Sequence, residues 1–259
     1  MSLVHQLNCL ASYLGPRDIS DLIQEALKEK YGMEQVDVMV LFGGSIIAGG
    51  DEMAKAIHNK IAKTYVIVGG AGHTTETFRQ KVHSLYPNIE TEGLTEAEIF
   101  QSYLQSQHSV SADFLECKST NCGNNIYFLI DLLKEKGIEW QSMILMQDAT
   151  MQRRMEAQIQ KVVSDKTIIN YASYATKLIE KDGRLDYEKE IVGMWKVERY
   201  IELLMGEVPR LRDDENGYGP KGMNFLVHVD IPEDVLDAFS DLEKVYAVRK
   251  ANPKYAKPE

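Results

Sequence analysis

Short apolar runs alternate with segments of helical spacing along most of the chain, and this alternation limits the fold more than any other feature. The first run, Val36–Phe42, has the length and composition of a buried strand. Between the runs, apolar residues recur at intervals of three and four, the spacing of a helix that buries one face. The later runs are Tyr65–Val68, Phe114–Cys117, Met143–Met146 and Thr167–Ile169. This order of elements favours a mostly parallel sheet with helices on both faces.

We therefore predict an α/β protein with a Rossmann-like fold, N-terminal helices and a C-terminal extension. The length of 259 residues suits one large domain, and no internal repeat or low-complexity segment divides it. The predicted domain spans residues 1–259, with an N-terminal helical segment over about 1–34, a core over about 35–175 and a C-terminal segment over about 176–259.

The elements outside the core are predicted as follows. Helices are expected over about 2–14, 18–30 and 191–205, and the polar stretch around 180–190 is expected to be a loop. In the last part of the chain, Phe225–Val229 resembles a final strand, and Pro232 is placed well to open a terminal helix. The residues after about 249 are expected to be frayed.

Charge and composition exclude several classes of partner. The formal net charge of −10 argues against binding to nucleic acid and against docking on an anionic membrane. No apolar run approaches the roughly 18 residues of a membrane span, so no membrane insertion is expected. The N-terminal residues lack the pattern of a signal peptide, and three cysteines without a C-x-x-C pair suit a reducing cytoplasm. His228 and Asp230 share a strand face but lack a third ligand, so no metal site is predicted.

Polar side chains crowd the end of the predicted strand Met143–Met146. The segment Gln147–Arg154 holds two carboxamides, an acid, a hydroxyl and two guanidinium groups before the next helix. Ligands of parallel α/β sheets bind at the carboxyl ends of the strands. Gln147, Asp148, Arg153 and Arg154 are therefore candidate ligand-binding residues. Because Arg153 and Arg154 lie about 100° apart on a helix, only one of them is expected to face a ligand.

Two glycine-rich turns also follow predicted strands. They contribute Gly43, Gly44 and Ser45 after the first strand, and Gly69, Gly70, Gly72 and His73 after the second. Glycine would let the backbone approach a ligand and direct N–H groups at it. Simple tight turns are the alternative. Neither stretch matches the dinucleotide or P-loop pattern.

A third strand-to-helix turn spans Ser119–Asn125. One of Ser119, Thr120 and Asn121 is needed to cap the following helix. The remaining polar residues exceed that need, so Ser119, Thr120, Asn121 and Asn125 are further candidates for ligand contacts.

The candidate catalytic groups are Glu96 and Asp148. Thr95 and Glu98 form a predicted capping box, which gives Glu98 a structural role and leaves Glu96 the better functional candidate. Stabilisation by the helix dipole is the alternative for Glu96, and a paired structural role is as well supported as a catalytic role for Glu116. Arg210 and Arg212 suit an anion, although Asp213, Asp214 and Glu215 follow and offer local ion pairs.

Five segments carry a resemblance to a known family, and they are Ser119–Gly123, Gln147–Arg154, Trp195–Tyr200, Pro209–Pro220 and Phe225–Pro232. Taken together, these segments resemble bacterial YdcF proteins, which belong to a broad family of unknown function that includes the envelope protein SanA. The wider family pattern maps to Gly43, Gly44, Gly69, Gly70, Glu96, Ser119–Asn125, Gln147 and one of Arg153 and Arg154. The family usually has an acid where this chain has Asn124, so any role of that acid is lost or moved. In contrast to SanA, no membrane anchor is expected in this chain.

The resemblance implies a Rossmann-like fold and binding of S-adenosyl-L-methionine, without supplying a reaction. A soluble S-adenosylmethionine-binding protein is therefore the leading hypothesis, and methyl transfer is one reaction it would permit. The usual methyltransferase glycine motif after the first strand is absent.

Two other hypotheses come from different classes. The arginines and strand-end turns also suit a hydrolase or transferase acting on a phosphorylated or nucleotide-like small molecule, with Glu96 or Asp148 as general base. A ligand sensor without catalysis is the third hypothesis. The oligomeric state is left open.

Overall fold

A five-stranded parallel sheet forms the centre of the molecule, so the predicted α/β, Rossmann-like fold is confirmed. The structure, a computed structural model, describes residues 2–72 and 74–249. The sheet has the order β3-β2-β1-β4-β5, and every neighbouring pair is parallel. The strands are β1 (Val36–Phe42), β2 (Ala62–Val68), β3 (Phe114–Glu116), β4 (Ser142–Met146) and β5 (Thr167–Asn170).

Helices cover both faces of this sheet and extend beyond it. The α-helices of the described residues are α1 (Leu3–Leu14), α2 (Gln24–Tyr31), α3 (Ala48–His58), α4 (Thr75–Leu85), α5 (Glu96–Tyr103), α6 (Cys122–Glu135), α7 (Gln152–Val162), α8 (Val197–Leu211) and α9 (Glu233–Leu242). A π-helical turn, Leu104–His108, continues α5. A separate antiparallel hairpin consists of β6 (Leu178–Lys181) and β7 (Arg184–Tyr187).

Alternate residues of β1 face two different hydrophobic clusters. Val38 and Val40 pack with the apolar faces of α6 and α7, whereas Met39 and Leu41 pack with α2, α3 and α5. Because both faces are covered, the central strands are continuously apolar, as expected for a parallel sheet. This packing fixes the carboxyl ends of β1 and β4 side by side, where the order of the strands reverses direction.

A third hydrophobic cluster joins the two ends of the chain. It contains buried residues of α1, α8 and α9, and α1 packs along both α8 and α9. The apolar residues of α8 that enter this cluster are Tyr200, Ile201, Leu204, Met205, Val208 and Leu211. The opposite face of α8 does not pack in this cluster and is directed toward the sheet. Within residues 2–72 and 74–249, no helix combines the length and the apolar character that a membrane crossing requires.

The predicted helix over 18–30 is too long at its start. Residues 18–23 form bends, and α2 begins only at Gln24. The Asp18 carboxylate accepts hydrogen bonds from the backbone and side chain of Asn170, at 2.6 and 3.0 Å. This pairing ties the segment to β5, and it competes successfully with helix formation.

The predicted loop around 180–190 is also wrong, because β6 and β7 form a hairpin there. Its turn is Asp182-Gly183, with φ of +52° and +72°. These are the left-handed conformations that a two-residue hairpin turn requires, and Asp-Gly is a typical sequence for it. The Asp-Gly signal for a hairpin was present in the sequence. The high polarity of the surrounding stretch concealed the alternation of apolar and polar residues that is typical of strands.

Two predictions for the C-terminal segment, a helix boundary and a strand, are wrong. The helix predicted near 191–205 runs instead over Val197–Leu211 and includes Pro209. Residues Phe225–Val229 form no ladder and are not a strand, although Leu226 is buried. Leu226 packs in the third cluster, so burial gave this segment a strand-like composition. The helix after Pro232 is present as α9, and the residues from 250 onward lie outside the described residues.

Candidate functional site

A cavity of about 430 Å³ lies at the carboxyl edge of the sheet. Its floor consists of the turns that follow β1, β2, β3 and β4, and its roof consists of α8 with the segment around Tyr218–Leu226. This volume is in the range of small-molecule sites, and the location is where ligands bind in open α/β sheets. The sequence-predicted site residues in the lining are Gly43, Gly44, Gly69, Gly70, Gly72, Glu96, Ser119, Thr120, Asn121, Asn125, Asp148, Arg154 and Arg210.

The glycines line the cavity for a reason other than the predicted one. Their N–H groups are used inside the protein: that of Gly44 donates to Glu96 Oε2 (2.6 Å) and that of Gly70 to Ser119 Oγ (3.1 Å). A Cβ at Gly43 would lie 2.3 Å from Glu96 Oε2, and one at Gly70 would lie 2.1 Å from the Ser119 carbonyl oxygen. The expectation that these N–H groups point at a ligand is therefore wrong. Glycine is needed because the strand ends and Glu96 pack too closely for a side chain.

Glu96 is a buried acid on the cavity floor. Its position at the start of α5 follows from the capping box of Thr95 and Glu98, which is present as predicted. Besides Gly44, the Glu96 carboxylate accepts a hydrogen bond from Thr75 Oγ1 (2.8 Å). Burial raises the pKa of the Glu96 carboxyl, and these hydrogen bonds oppose the rise only in part. A carboxyl with a raised pKa on a cavity wall is a candidate general base.

Asp148 is the second acid at the cavity, and it is almost fully enclosed by donors. Asp148 Oδ1 accepts from Thr150 Oγ1 (2.7 Å) and Tyr174 OH (2.9 Å), and Oδ2 accepts from Trp195 Nε1 (2.9 Å). Burial raises the pKa of Asp148 while these bonds act to lower it. Because Asp148 accepts four hydrogen bonds and is 1% exposed, against 6% for Glu96, it mainly organises the segment Gln147–Arg154, which we name the β4–α7 junction.

The turn Ser119–Asn125, which we name the β3–α6 junction, forms the adjacent wall. Asn121 is the N-cap of α6, since its side chain accepts from the Asn124 N–H at 3.0 Å. Glu116 accepts from the backbone of Lys118 and Ser119, which gives it a structural role. Asn125 is 7% exposed and faces the cavity from the first turn of α6. Its carboxamide forms no hydrogen bond with another described residue.

The paired arginines of α7 face in different directions, as their helical separation predicted. Arg154 enters the cavity wall and forms a fork with Glu207, with Nη2 and Oε1 3.2 Å apart. Burial acts to lower the pKa of Arg154, but the Glu207 carboxylate holds it above its ordinary value. Arg153 lies away from the cavity, where it stacks on the Tyr13 ring at 4.9 Å and pairs with Glu156.

One face of α8 supplies charged groups to the roof of the cavity. Arg199, Leu203, Glu207 and Arg210 recur at helical intervals on this face and line the cavity. Gly206 lies between them, and a Cβ there would be 2.7 Å from Arg210 Nη1 and 3.1 Å from Arg249 Cβ. The small residue thus lets the side chains of Arg210 and Arg249 cross the helix surface.

Arg249 reaches the same roof from beyond α9. Burial and the neighbouring positive charges of Arg199 and Arg210 lower the pKa of the Arg249 guanidinium. Arg210 Nη1 also donates to the Arg249 carbonyl oxygen (3.4 Å), so these two arginines are direct neighbours whose charges repel one another. We call Arg199, Arg210 and Arg249 the arginine cluster. Arg199 also pairs with Glu202, in an exposed ion pair of 2.9 Å, which screens it only weakly.

Aromatic side chains complete the roof. Tyr218 and Phe225 meet edge to face with ring centroids 5.4 Å apart, and both line the cavity with Trp195. The loop that carries Tyr218 is tightly folded, because a Cβ at Gly217 would lie 1.9 Å from the Arg212 carbonyl oxygen. The cavity therefore offers flat apolar surfaces beside its charged groups, as sites for heterocyclic ligands do.

Several predicted site residues lie outside the cavity lining. Ser45 is buried against Ser173 (2.7 Å), and Gln147 donates to the Gly43 carbonyl oxygen (3.1 Å), so both support the floor from beneath. Arg153 lies at Tyr13, and Arg212 stacks on the Phe239 ring at 5.1 Å. The prediction for His73 falls outside the described residues.

Sequence reasoning missed cavity residues from distant parts of the chain. These are Cys122, Gln158, Trp195, Arg199, Leu203, Glu207, Tyr218, Phe225 and Arg249, among others. The helical interval from Arg199 to Arg210 was a usable signal, because charged residues recur on one face of a helix whose opposite face is apolar. No signal of this kind existed for Arg249, since only its packing against Gly206 brings it to the site.

No cluster of three or more His, Cys, Asp or Glu side chains suited to a metal ion occurs in the described part of the chain. No protein-family model matches the sequence. The fold and the cavity define a Rossmann-like α/β protein with a ligand-sized site at the carboxyl edge of its sheet.

Proposed function

We propose that the protein binds a phosphorylated, nucleotide-like small molecule in this cavity and acts on it as a hydrolase or transferase. The observation that carries the proposal is the convergence of Arg154, Arg199, Arg210 and Arg249 on one cavity. Guanidinium groups match phosphate geometry and hold it with charge-assisted hydrogen bonds. Glu207, forked on Arg154, is the acid in the described cavity lining that pairs with one of these arginines, whereas Glu96 and Asp148 bond to other residues.

The charge distribution favours phosphate over a sulfonium cofactor. S-adenosylmethionine carries a positive sulfonium and a positive amine, and its single carboxylate needs one arginine. The arginine cluster would leave such a ligand beside an excess of positive charge, in a partly buried site where charges are poorly screened. A phosphate group carries about −1.5 to −2 at neutral pH and would offset both the burial and the mutual repulsion that lower the pKa of Arg249.

Glu96 is the proposed general base. A hydroxyl or water nucleophile would attack phosphorus, its proton would pass to the Glu96 carboxylate, and the phosphorus–oxygen bond to the leaving group would break. A raised pKa suits this role, because it brings the base closer to the operating pH. Asp148 would hold Trp195 and the β4–α7 junction in position without contacting the reacting atoms.

Binding of S-adenosylmethionine, with methyl transfer as the reaction it would permit, is the second candidate. It is favoured by the acids Glu96 and Asp148, which lie in the lining with Trp195 and could receive ribose hydroxyls or a positive sulfur. The resemblance to YdcF proteins points the same way, and membership of that bacterial family and a cytoplasmic location are proposals that accompany it. Expression of a fluorescent fusion, followed by fractionation, tests the location.

Calorimetric titration separates the two candidates. The full chain is titrated with nucleoside mono- and diphosphates, S-adenosylmethionine and S-adenosylhomocysteine. We expect heat with the phosphorylated compounds and an affinity that falls steeply as salt rises. Heat with the adenosyl compounds alone would overturn the leading proposal and support the second candidate.

Matched variants locate the binding and test catalysis. Arg199→Gln should weaken nucleotide binding, whereas Arg184→Gln, on the exposed β7 strand, removes the same charge without touching the cavity. Glu96→Gln should bind the nucleotide and release no phosphate. If the wild-type protein also binds nucleotides but turns over none of them, with or without an acceptor alcohol, the protein is a ligand sensor and the catalytic part of the proposal fails.

A further inference from the structure

The amino end of α6 presents backbone donors to the cavity. The N–H groups of Cys122 and Gly123 lie in the first helical turn, which offers them no intrahelical acceptor. The next two donors are occupied, because the N–H groups of Asn124 and Asn125 bond to Asn121. Cys122 and Gly123 both line the cavity. These two donors have no acceptor among the described residues, and together with the positive end of the helix dipole they favour an anion at this position.

Two buried carboxamides point to a ligand at the same place. Asn125 and Gln158 are each 7% exposed and line the cavity. Neither side chain forms a hydrogen bond with any other residue in 2–72 or 74–249. A Cβ at Gly123 would lie 3.4 Å from Gln158 Nε2, so this amide stands directly beside the end of α6. Neither amide is sealed in the core, so both open into the cavity, where their N–H groups are available as donors to a ligand.

The end of α6 and the arginine cluster are neighbouring but distinct positions. Arg154 is near both, since it lines the cavity with Cys122 and forks onto Glu207 of α8. Glu207 in turn lies within electrostatic range of Arg249. The Arg154–Glu207 pair is internally neutral, so each flanking position keeps its own positive potential. One phosphoryl group at the end of α6 would leave the arginine cluster without a counter-charge.

We infer that the ligand carries a diphosphate, with one phosphoryl group at the amino end of α6 and the second against the arginine cluster. This inference rests on the proposed function and specifies its substrate class. At the first position the donors are the N–H groups of Cys122 and Gly123 and the amides of Asn125 and Gln158. At the second position the donors are the guanidinium groups of Arg210 and Arg249, with Arg199 at the rim.

Titration of the full chain with inorganic orthophosphate and inorganic pyrophosphate tests this inference. Pyrophosphate should bind at least about tenfold more tightly, because it adds charge-assisted hydrogen bonds at the second position. Arg249→Gln should reduce pyrophosphate affinity about tenfold and change orthophosphate affinity less than about threefold. Asn125→Ala should weaken both probes. Asn125→Asp, which keeps the shape and adds negative charge, should weaken both further.

The outcomes separate the inference from the proposed function. Equal affinity for the two probes, or an equal loss of both in Arg249→Gln, overturns the diphosphate and leaves nucleoside monophosphate binding as the test of the proposed function. Absence of heat with both probes and with every nucleotide overturns both proposals. Arg184→Gln controls for loss of net charge, and thermal unfolding of each variant shows that it is folded.

Discussion

The β4–α7 and β3–α6 junctions are both rich in polar side chains, but they use them in different ways. At the β4–α7 junction, Asp148 receives hydrogen bonds from Thr150, Tyr174 and Trp195, and Gln152 donates to Leu145 O and Asn170 Oδ1. At the β3–α6 junction, Asn121 caps α6 while Asn125 faces the cavity without a partner among the described residues.

The difference shows that a high density of polar residues at a strand end has two physical explanations. A buried polar group is normally paired, and its partner is another part of the protein, water or a ligand. At the β4–α7 junction, the side chains of Asp148 and Gln152 are paired with other groups of the protein. The β3–α6 junction has donors left over, which makes it the better candidate for ligand recognition. The following changes should affect stability at the first junction and binding at the second.

Arg154→Ala should have the largest effect. It leaves Glu207, whose side chain is 1% exposed, without its partner, and removing one member of a buried ion pair typically costs about 3–5 kcal/mol. Urea unfolding measures the loss. Arg153→Ala is the matched control, because its pair with Glu156 is partly exposed and should contribute about 0–1 kcal/mol. Equal losses in the two variants would show that the Arg154–Glu207 pair stabilises the fold no more than the partly exposed Arg153–Glu156 pair.

Asp148→Ala should destabilise the fold by about 3 kcal/mol, because several buried donors lose their acceptor at once. The donors are the Thr150 hydroxyl, the Tyr174 hydroxyl and the Trp195 indole N–H. Urea unfolding followed by tryptophan fluorescence would report the stability and the release of Trp195. A loss below about 1 kcal/mol, the size of one ordinary hydrogen bond, would mean that the network is not held by Asp148.

Asn125→Ala should reduce ligand binding while leaving the stability of the fold nearly unchanged. The free energy of unfolding should change by less than about 1 kcal/mol, since no hydrogen bond within the described residues is lost, and nucleotide affinity should fall about tenfold. Calorimetry and urea unfolding of the same sample separate the two quantities. A large loss of stability with unchanged affinity would assign Asn125 to the fold and remove it from the site.

Titration of Asp148 should give the smallest effect, a difference in the slope of stability against pH. Burial raises the pKa of Asp148 above its ordinary value of 3.8 in the folded state. The folded protein then holds a proton that the unfolded chain releases, so this contribution is full below about pH 3.8 and is lost as the pH rises through the folded pKa. Asp148→Asn lacks the contribution. Unfolding measured from pH 3.5 upward should therefore show a more negative slope in the wild type than in this variant, and parallel curves would contradict the raised pKa.

Local signals in the sequence predicted the parts of the site that depend on neighbours along the chain. The capping box of Thr95 and Glu98 placed Glu96 at the start of α5, and Asn121 was among the predicted caps of α6. The separation of Arg153 and Arg154 around a helix correctly predicted that one of them would face the cavity. These features succeed because helix geometry and capping involve residues a few positions apart.

Features that depend on packing were not accessible in the same way. The glycine turns were identified, but the use of their N–H groups by Glu96, Ser119 and Thr75 could not be seen without the fold. The hairpin turn Asp182-Gly183 carried a local signal that the polar composition obscured. The roof of the cavity required knowledge of which face of α8 packs against α1 and α9.

The sequence by itself determined the alternating α/β fold, the strand ends where a site would lie and several caps, because periodicity and short-range hydrogen bonding are written into adjacent residues. Only the tertiary structure decided which polar groups pair within the protein and which face a ligand. Arg249 and Arg154 are far apart in the chain, and Asn125 and Gln147 are chemically alike. Gln147 is paired within the protein and Asn125 faces the cavity, because tertiary packing brings a partner to the first side chain and none to the second among the described residues. No local sequence pattern specifies such partners.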